Sequence, residues 1–312
     1  MNKKQILIRL FQIVIVLIGI SFITFILTYL SPGDPVRNMY TATGVMPTQE
    51  MIEQTREELG LNDPFAIQYF RWLSNCLHGD FGKSYSLNKD VMGLLAGRIL
   101  PTLKLAGLSL AMMLAISVPL GVASALKKNT IPDYIIRGIT FLGCSMPNFW
   151  VGLLLMLLFC VKLGIFPVIS ATGDFRGLFL PALTLAIAMS AKYTRQVRTA
   201  VLDELSQDYV TGAEARGIKR SKIIWGNVFP NALLPLVTML GLSIGSLLGG
   251  TAVVEVIFSY PGLGNLAVSA ITSSDYNLIQ GYVLWMCLIY MTVNLLVDAS
   301  YMYIDPRMRI KE

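Results

Sequence analysis

Residues 12–30 carry no charge, and the run is close to the roughly 20 apolar residues that a helix needs to cross the hydrocarbon of a bilayer. Further apolar runs, each with at most one charged residue, cover 101–126, 135–161, 178–191, 231–258 and 280–303. Hydrocarbon offers no water to backbone N–H and C=O groups, so such runs fold as helices that bond within themselves. The expectation is an all-α integral membrane protein with six transmembrane helices. Composition agrees: of 312 residues 14% are charged, against about 25% in soluble domains. A secretory signal would share the basic start at Lys3, Lys4 and Arg9 but has a shorter apolar core and a small-residue cleavage site. The run ends instead in Ser31-Pro32-Gly33-Asp34-Pro35, so a retained first span is expected.

The net charge of +6 does not point to nucleic acid, because the basic residues gather at the ends of apolar runs and not along one exposed stripe. Lys3, Lys4, Arg9, Lys127, Lys128, Arg137, the basic residues of 192–222, Arg307, Arg309 and Lys311 fall on one side of the six-span arrangement; the short loops opposite hold Lys162 and Arg176. That asymmetry places both termini in the cytoplasm. Cys76, Cys144, Cys160 and Cys287 are far apart and show neither a disulfide framework nor a metal-ligand spacing, and His78 is the one histidine. No metal and no cofactor is expected.

Residues 31–99 are polar and too long for a simple loop, and they form an external helical segment in this topology. Pro47 or Thr48 can open a helix that stops at Gly60, and Asn62-Asp63-Pro64 can start a second with proline at the first helical position. That helix carries Phe65, Tyr69, Phe70, Trp72 and Leu73 at a helical spacing that suits packing. Gly82-Lys83-Ser84 is not a phosphate-binding loop, because the glycine needed five residues earlier is Leu77. With Arg137 counted among the flanking basic residues, the charged candidates within the spans are Lys104, Glu255 and Asp298, best read as anchors or helix-to-helix hydrogen-bonding groups. Gly241, Gly245, Gly249 and Gly250 have the small-residue spacing that lets membrane helices approach, here expected against a partner subunit.

The stretch 208–235, DYVTGAEARGIKRSKIIWGNVFPNALLP, is short, basic and rich in small residues between two apolar runs, so it belongs at a membrane face. Asp208 can cap a helix over 209–216, Gly217 can stop it, and Ser221 can cap a second short helix ending near Pro230. Gly212, Ala213 and Ala215 leave one face nearly bare for another protein.

This stretch resembles the inner-face loop of binding-protein-dependent ABC import permeases, E-A-A, three residues, G, nine residues, I-x-L-P. Thr211, Gly212 and Ala213 fall on E-A-A, Gly217 on the glycine, and Asn227, Phe229 and Pro230 on I-x-L-P, so the glutamate, the middle alanine and the isoleucine are departures. The form D-Y-V-x-x-A-x-A-x-G followed by N-A-L-L-P is similar to the dipeptide, oligopeptide and nickel branch. Residues 60–82 (GLNDPFAIQYFRWLSNCLHGDFG), 145–150 (SMPNFW), 255–264 (EVIFSYPGLG) and 275–280 (DYNLIQ) extend the resemblance over nearly the whole chain.

The resemblance implies an ABC importer permease fold in a bacterial cell membrane: 1–30 as cytoplasmic N-terminus and first span, 31–99 as the external segment, and 100–312 as a five-helix core with a cytoplasmic coupling loop at 199–230. The implied partners are a second homologous permease, two cytosolic ABC ATPases, an extracytoplasmic substrate-binding protein and membrane lipid, with no nucleic acid. Tyr209, Thr211, Gly212, Ala213, Ala215, Arg216 and Gly217 would couple to an ATPase, and Ser145, Asn148 and Ser243 are the polar candidates for the path. The forms of 145–150 and of Ala-Val-Ser-Ala-Ile before Asp275 resemble nickel-type permeases, so nickel or a nickel chelate is the expected cargo and di- or oligopeptides the alternative. An intramembrane hydrolase would need a nucleophile with a base in reach, and a secondary transporter would show repeated halves or several mid-membrane acids. Neither pattern is visible in this chain.

Overall fold

The computed structural model describes residues 3–42, 44–170 and 174–304, and among them the one β-type pairing is an isolated bridge between Lys83 and Asp90. In chain order, α1 (Lys3–Leu30) is followed by α2 (Pro35–Ala42), α3 (Gln49–Glu58), α4 (Phe65–Leu77) and the long α5 (Val91–Leu126). Next come α6 (Ile131–Ser145), α7 (Asn148–Leu155) with a π-helical continuation over Met156–Lys162, and α8 (Phe175–Leu205). α9 (Asp208–Ala215) and α10 (Arg220–Ile223) lead through a π-helical turn, Ile224–Val228, into α11 (Phe229–Ile257). α12 (Leu263–Thr272) and α13 (Tyr276–Ile304) follow.

Four of these, α1, α5, α8 and α13, contain a stretch long and apolar enough to cross a membrane, and α6 with α7 makes a fifth as a broken pair. α11 has 29 residues, with Glu255 as its one charged residue. The sequence anticipates a kink at Pro147; the structure has a full break of 102°. Met146, forced from the helical region by the proline that follows, is extended (φ −89°, ψ 129°), and Pro147 caps α7. α5 begins before the expected residue 101, because the Asp90 carboxylate captures the Gly93 amide at 2.7 Å and starts the helix there.

Local signals explain most of the short helices. Thr48 caps α3 by accepting from the Met51 amide, and Gly60 ends the turn after it at φ +65°. α4 starts one residue later than expected: Pro64 is the cap, while Asp63 pairs with Arg71.

The chain divides into two compact units, one of residues 1–101 and 262–292, the other of 102–261 and 293–312. In the first, Phe22, Phe25 and Tyr29 of α1 meet Phe65 and Tyr69 of α4 edge to face, and the Ser21 and Tyr69 hydroxyls bond at 2.9 Å. The aromatic spacing of α4 is thus used for packing. Val91 and Leu95 of α5, Leu263, Leu266 and Ala270 of α12, and Leu278 of α13 form an apolar core. Gly281 allows this closeness, since a Cβ there would lie 2.7 Å from Val91 Cγ1.

In the second unit α8 packs against α6, α7 and α11. Small residues set the approach: a Cβ at Gly121 would lie 2.5 Å from Val197 Cβ, and one at Gly143 2.9 Å from Ala191 Cβ. A Cβ at Gly241 would meet Val297 Cγ1 of α13 at 2.1 Å, so this glycine closes a contact within the chain, where the sequence suggested a partner subunit. Gly249 has open space around it. Gly250 and the Asp298 side chain, with Arg307, Arg309 and Lys311, lie outside the described residues.

Candidate functional site

α9 begins at Asp208, one residue ahead of expectation, with Gln207 as its cap and no side-chain cap bond. Asp208 instead occupies the first turn, where its charge suits the positive end of the helix dipole. The far end follows the sequence closely. Gly217 takes φ +74°, its amide donates to the Glu214 carbonyl at 2.9 Å, and the Ile218 amide donates to the Ala213 carbonyl at 3.2 Å. Those are the two bonds of a Schellman motif, and they satisfy carbonyls that the helix end would leave open.

The faces of α9 divide sharply. Val210 and Ala213 are buried in a cluster with Val197 and Val201 of α8, Ile223 of α10 and Val228 of the π-helical turn. Thr211, Gly212, Ala215, Arg216 and Gly217 are exposed. The bare face read from the sequence is therefore narrower: Ala213 anchors the helix, and Gly212 and Ala215 offer the small outward surface. Tyr209 is half-buried and donates to Glu204 Oε2 at 2.8 Å. Burial first, with Glu204 adding to it, pushes its hydroxyl above the ordinary tyrosine value.

The second short helix departs from expectation at both ends. Lys219, not Ser221, precedes it, and there is no stop at Pro230. α10, the π-helical turn and α11 run on without a break, and Pro230, which has no N–H to offer the preceding turn, follows directly on the π-helical turn where the regular ladder is already interrupted.

Close to this segment in the chain's second unit lies an ion pair that sequence reading missed. Asp133, at the start of α6, is fully buried. It accepts from Arg198 Nε and Nη2, each at 2.8 Å, from Ser124 Oγ at 2.5 Å and from the Asn129 amide at 3.0 Å. One carboxylate thus joins the end of α5, the start of α6 and the C-terminal part of α8. The signal available in the sequence was a lone acid in a basic stretch: Asp133, directly after Ile131-Pro132, is the one acidic residue between Lys127 and Arg137.

The path candidates separate. Ser145 and Asn148 are exposed on either side of the 102° break, with Ser145 Oγ donating to the Phe141 carbonyl at 3.0 Å. Ser243 is buried on α11 against the Tyr193 hydroxyl. Glu255 is fully buried and accepts from Thr102 Oγ1 at 2.9 Å, a helix-to-helix bond of the kind expected for it; Lys104 is exposed.

A cavity of about 880 Å³ opens among α6, α8 and α11. Its wall carries Arg137, Lys192, Arg195 and Arg198 against one carboxylate, Asp203. Arg198 is neutralised by Asp133, whereas Lys192 and Arg195 have no acidic partner among the described residues. Such a wall attracts anionic groups and repels a bare cation.

Comparison with known proteins follows the same lines. Residues 117–310 match the family described as "Binding-protein-dependent transport system inner membrane component", and residues 3–106 match the N-terminal model of such membrane components. The glutathione transport system permease protein GsiC of Pectobacterium atrosepticum is 38% identical over 303 residues, covering 97% of this chain and 98% of the relative. The "Probable D,D-dipeptide transport system permease protein DdpB" of Escherichia coli K12 is 35% identical over 327 residues, covering 96% and 95%. Among solved structures, an inward-facing form of the MetNI methionine ABC transporter shares the fold, with a TM-score of 0.56 at 17% identity over 69% of this chain and 97% of that one.

Proposed function

The chain belongs to the family of binding-protein-dependent transport system inner membrane components, as the permease subunit of an ABC importer, and we propose that its cargo is a short peptide with a free carboxylate. The observation that carries this reading is the basic cavity among α6, α8 and α11, which suits a peptide carboxylate and disfavours an uncomplexed nickel ion. The names of the relatives point the same way, to glutathione and a dipeptide, and lend no support to the nickel expectation. Deleting the chain is expected to abolish growth on a dipeptide as sole source of a required amino acid and to leave cell nickel unchanged. Reduced nickel with intact dipeptide growth would reverse the assignment.

In the arrangement we propose, residues 1–30 provide a cytoplasmic terminus and a first span, 31–99 an external segment, and 100–312 the remaining five spans with the 199–230 loop in the cytoplasm. A second permease completes the path, two cytosolic ATPases supply the energy, and an external binding protein delivers cargo. Ser145 and Asn148, exposed at the bend, contact the passing peptide, while Ser243 holds α8 and α11 together. The exposed Thr211, Gly212 and Ala215 of α9, the Arg216 and Gly217 that end it and the half-buried Tyr209 at its edge meet an ATPase, and the buried Val210 and Ala213 carry its movement into α8 and α11. A nucleotide-driven closure then biases a two-state membrane element.

A single cysteine at Gly212, in a chain freed of its four native cysteines, tests orientation and docking together. It should react with a membrane-impermeant thiol reagent only from the cytoplasmic side, and lose that reactivity when the ATPases are assembled. Labelling from outside would sink the orientation, and unchanged labelling in the complex would sink the docking face. Gly217→Val, which puts a β-branched residue at φ +74°, is expected to leave the protein in the membrane but to lower cargo-stimulated ATP hydrolysis at least severalfold. Normal stimulation would refute its place in coupling.

A further inference from the structure

The side chains of α4 fall into three strips along its length. At about 100° per residue, Phe65, Tyr69, Trp72 and Cys76 share one side, Gln68, Arg71 and Asn75 a second, and Ala66, Phe70, Leu73 and Leu77 a third that lies roughly opposite the second. The first strip is the aromatic face that packs on α1. The polar strip turns to the chain that leads into the helix: Gln68 Nε2 donates to the carbonyls of Leu61 at 2.9 Å and Asp63 at 2.7 Å, and Arg71 pairs with Asp63. The third strip is apolar yet open, with Phe70 66% and Leu77 81% exposed.

The height at which α4 meets α1 decides what covers that strip. The Tyr69 hydroxyl bonds that of Ser21 at 2.9 Å, and Phe65 lies against Phe22, Phe25 and Tyr29. From Ser21 back toward the N-terminus, residues 10–20 are uncharged, and Arg9, Lys4 and Lys3 follow. Residues 10–20 rise roughly 16 Å at 1.5 Å per residue, about half of the roughly 30 Å of hydrocarbon that a span must cross. Residues 21–30 must therefore supply the rest, and a helix packed on 21–29 sits beside the outer half of the span, below the level of bulk water. There an exposed Phe70 or Leu77 has acyl chains for neighbours. An apolar strip roughly opposite a polar one, with the packing face about a right angle from both, is the arrangement that a helix lying flat beside an upright span requires. Arg71, its charge met by Asp63, reaches from the polar strip toward the headgroups.

We propose that α4 is an interfacial helix seated in the outer leaflet, with Ala66, Phe70, Leu73 and Leu77 against lipid acyl chains and Gln68, Arg71 and Asn75 toward the headgroups and external water. The proposal rests on the first span and the external placement of 31–99 given above, and is independent of the cargo. It makes lipid, and not the second permease or the binding protein, the partner of this surface, and it ties the external segment to the membrane beside α1.

The test uses nitroxide labels on Phe70→Cys, Leu77→Cys and Asn75→Cys, each made in the chain freed of its four native cysteines and studied in the assembled transporter in lipid nanodiscs. All three side chains are exposed, so the labels replace no buried contact. Relaxation by oxygen, which concentrates in hydrocarbon, should exceed relaxation by chromium oxalate, which stays in water, severalfold at positions 70 and 77, and the order should reverse at 75. Adding the external binding protein should change neither 70 nor 77. Equal access of chromium oxalate at all three positions would place the strip in water, and shielding of 70 and 77 from both agents, with or without the binding protein, would place it against protein; either result overturns the lipid contact. The side is read separately, since Asn75→Cys should react with a membrane-impermeant thiol reagent applied outside sealed cells. Reaction only from the cytoplasmic face would overturn the external placement of 31–99 and the outer-leaflet seat together, whereas outside reaction combined with water at 70 and 77 overturns the seat alone.

Discussion

Arg198→Met is expected to destabilise the protein by about 3–5 kcal/mol, because it leaves the Asp133 carboxylate buried with no counter-charge. Ser124 and the Asn129 amide would still donate to Asp133, but two neutral donors do not replace a bidentate guanidinium. The loss should appear as a large fall in the thermal unfolding temperature of the detergent-solubilised protein and in the folded yield from membranes. Asp133→Asn combined with Arg198→Met should recover part of it, since the double change removes the uncompensated charge as well as the partner. A single Arg198→Met variant as stable as wild type would show that the pair contributes nothing.

Asp275→Ala should cost about 3 kcal/mol, because it strands the Ser84 and Ser86 hydroxyls and the Ser86 amide around a fully buried position. Three donors converge on Oδ2 while the Leu278 amide donates to Oδ1 at 3.3 Å, so Asp275→Asn, with its amide oxygen turned toward the serines, keeps an acceptor for those three and loses the charge and the Leu278 bond. About half the destabilisation is expected for it. Limited proteolysis between residues 84 and 89 gives the readout: Asp275→Ala should be cut readily and Asp275→Asn slowly. Equal resistance in wild type and Asp275→Ala would remove Asp275 from its role as a clamp.

Much of the architecture was legible because membrane helices and their caps are written in short windows. An uncharged run such as 12–30 has one folded solution in hydrocarbon, and Thr48, Gly60 and Gly217 act on residues within four positions of themselves. What failed to show depends on residues far apart in the chain. Pro147 announces a kink, but the 102° break comes together with Gly143 close against Ala191 and Gly152 against Thr184, contacts between residues more than 30 positions apart. Asp133 and Arg198 each look like ordinary flanking charges until α6 and α8 lie side by side. Likewise, Gly212, Ala213 and Ala215 are alike as small residues, and only the packing of Val210 and Ile223 decides which of them turns inward.

The unbroken passage from α10 through the π-helical turn into α11 makes the basic loop the foot of a rod and not a tether. From Arg220 to Ile257 the backbone rises by roughly 55 Å at 1.5 Å per residue and stays helical throughout, with Pro230 and Pro235 as the points that lack a backbone donor. A small tilt imposed at its foot is therefore delivered, lever-like, at Glu255 near the other end, where the bond to Thr102 must stretch or shift with it. The wider π-helical turn near the foot is where this rod can change its winding. In the coupling proposed above, that turn sets the gear ratio between a nucleotide-driven push and the opening of the path.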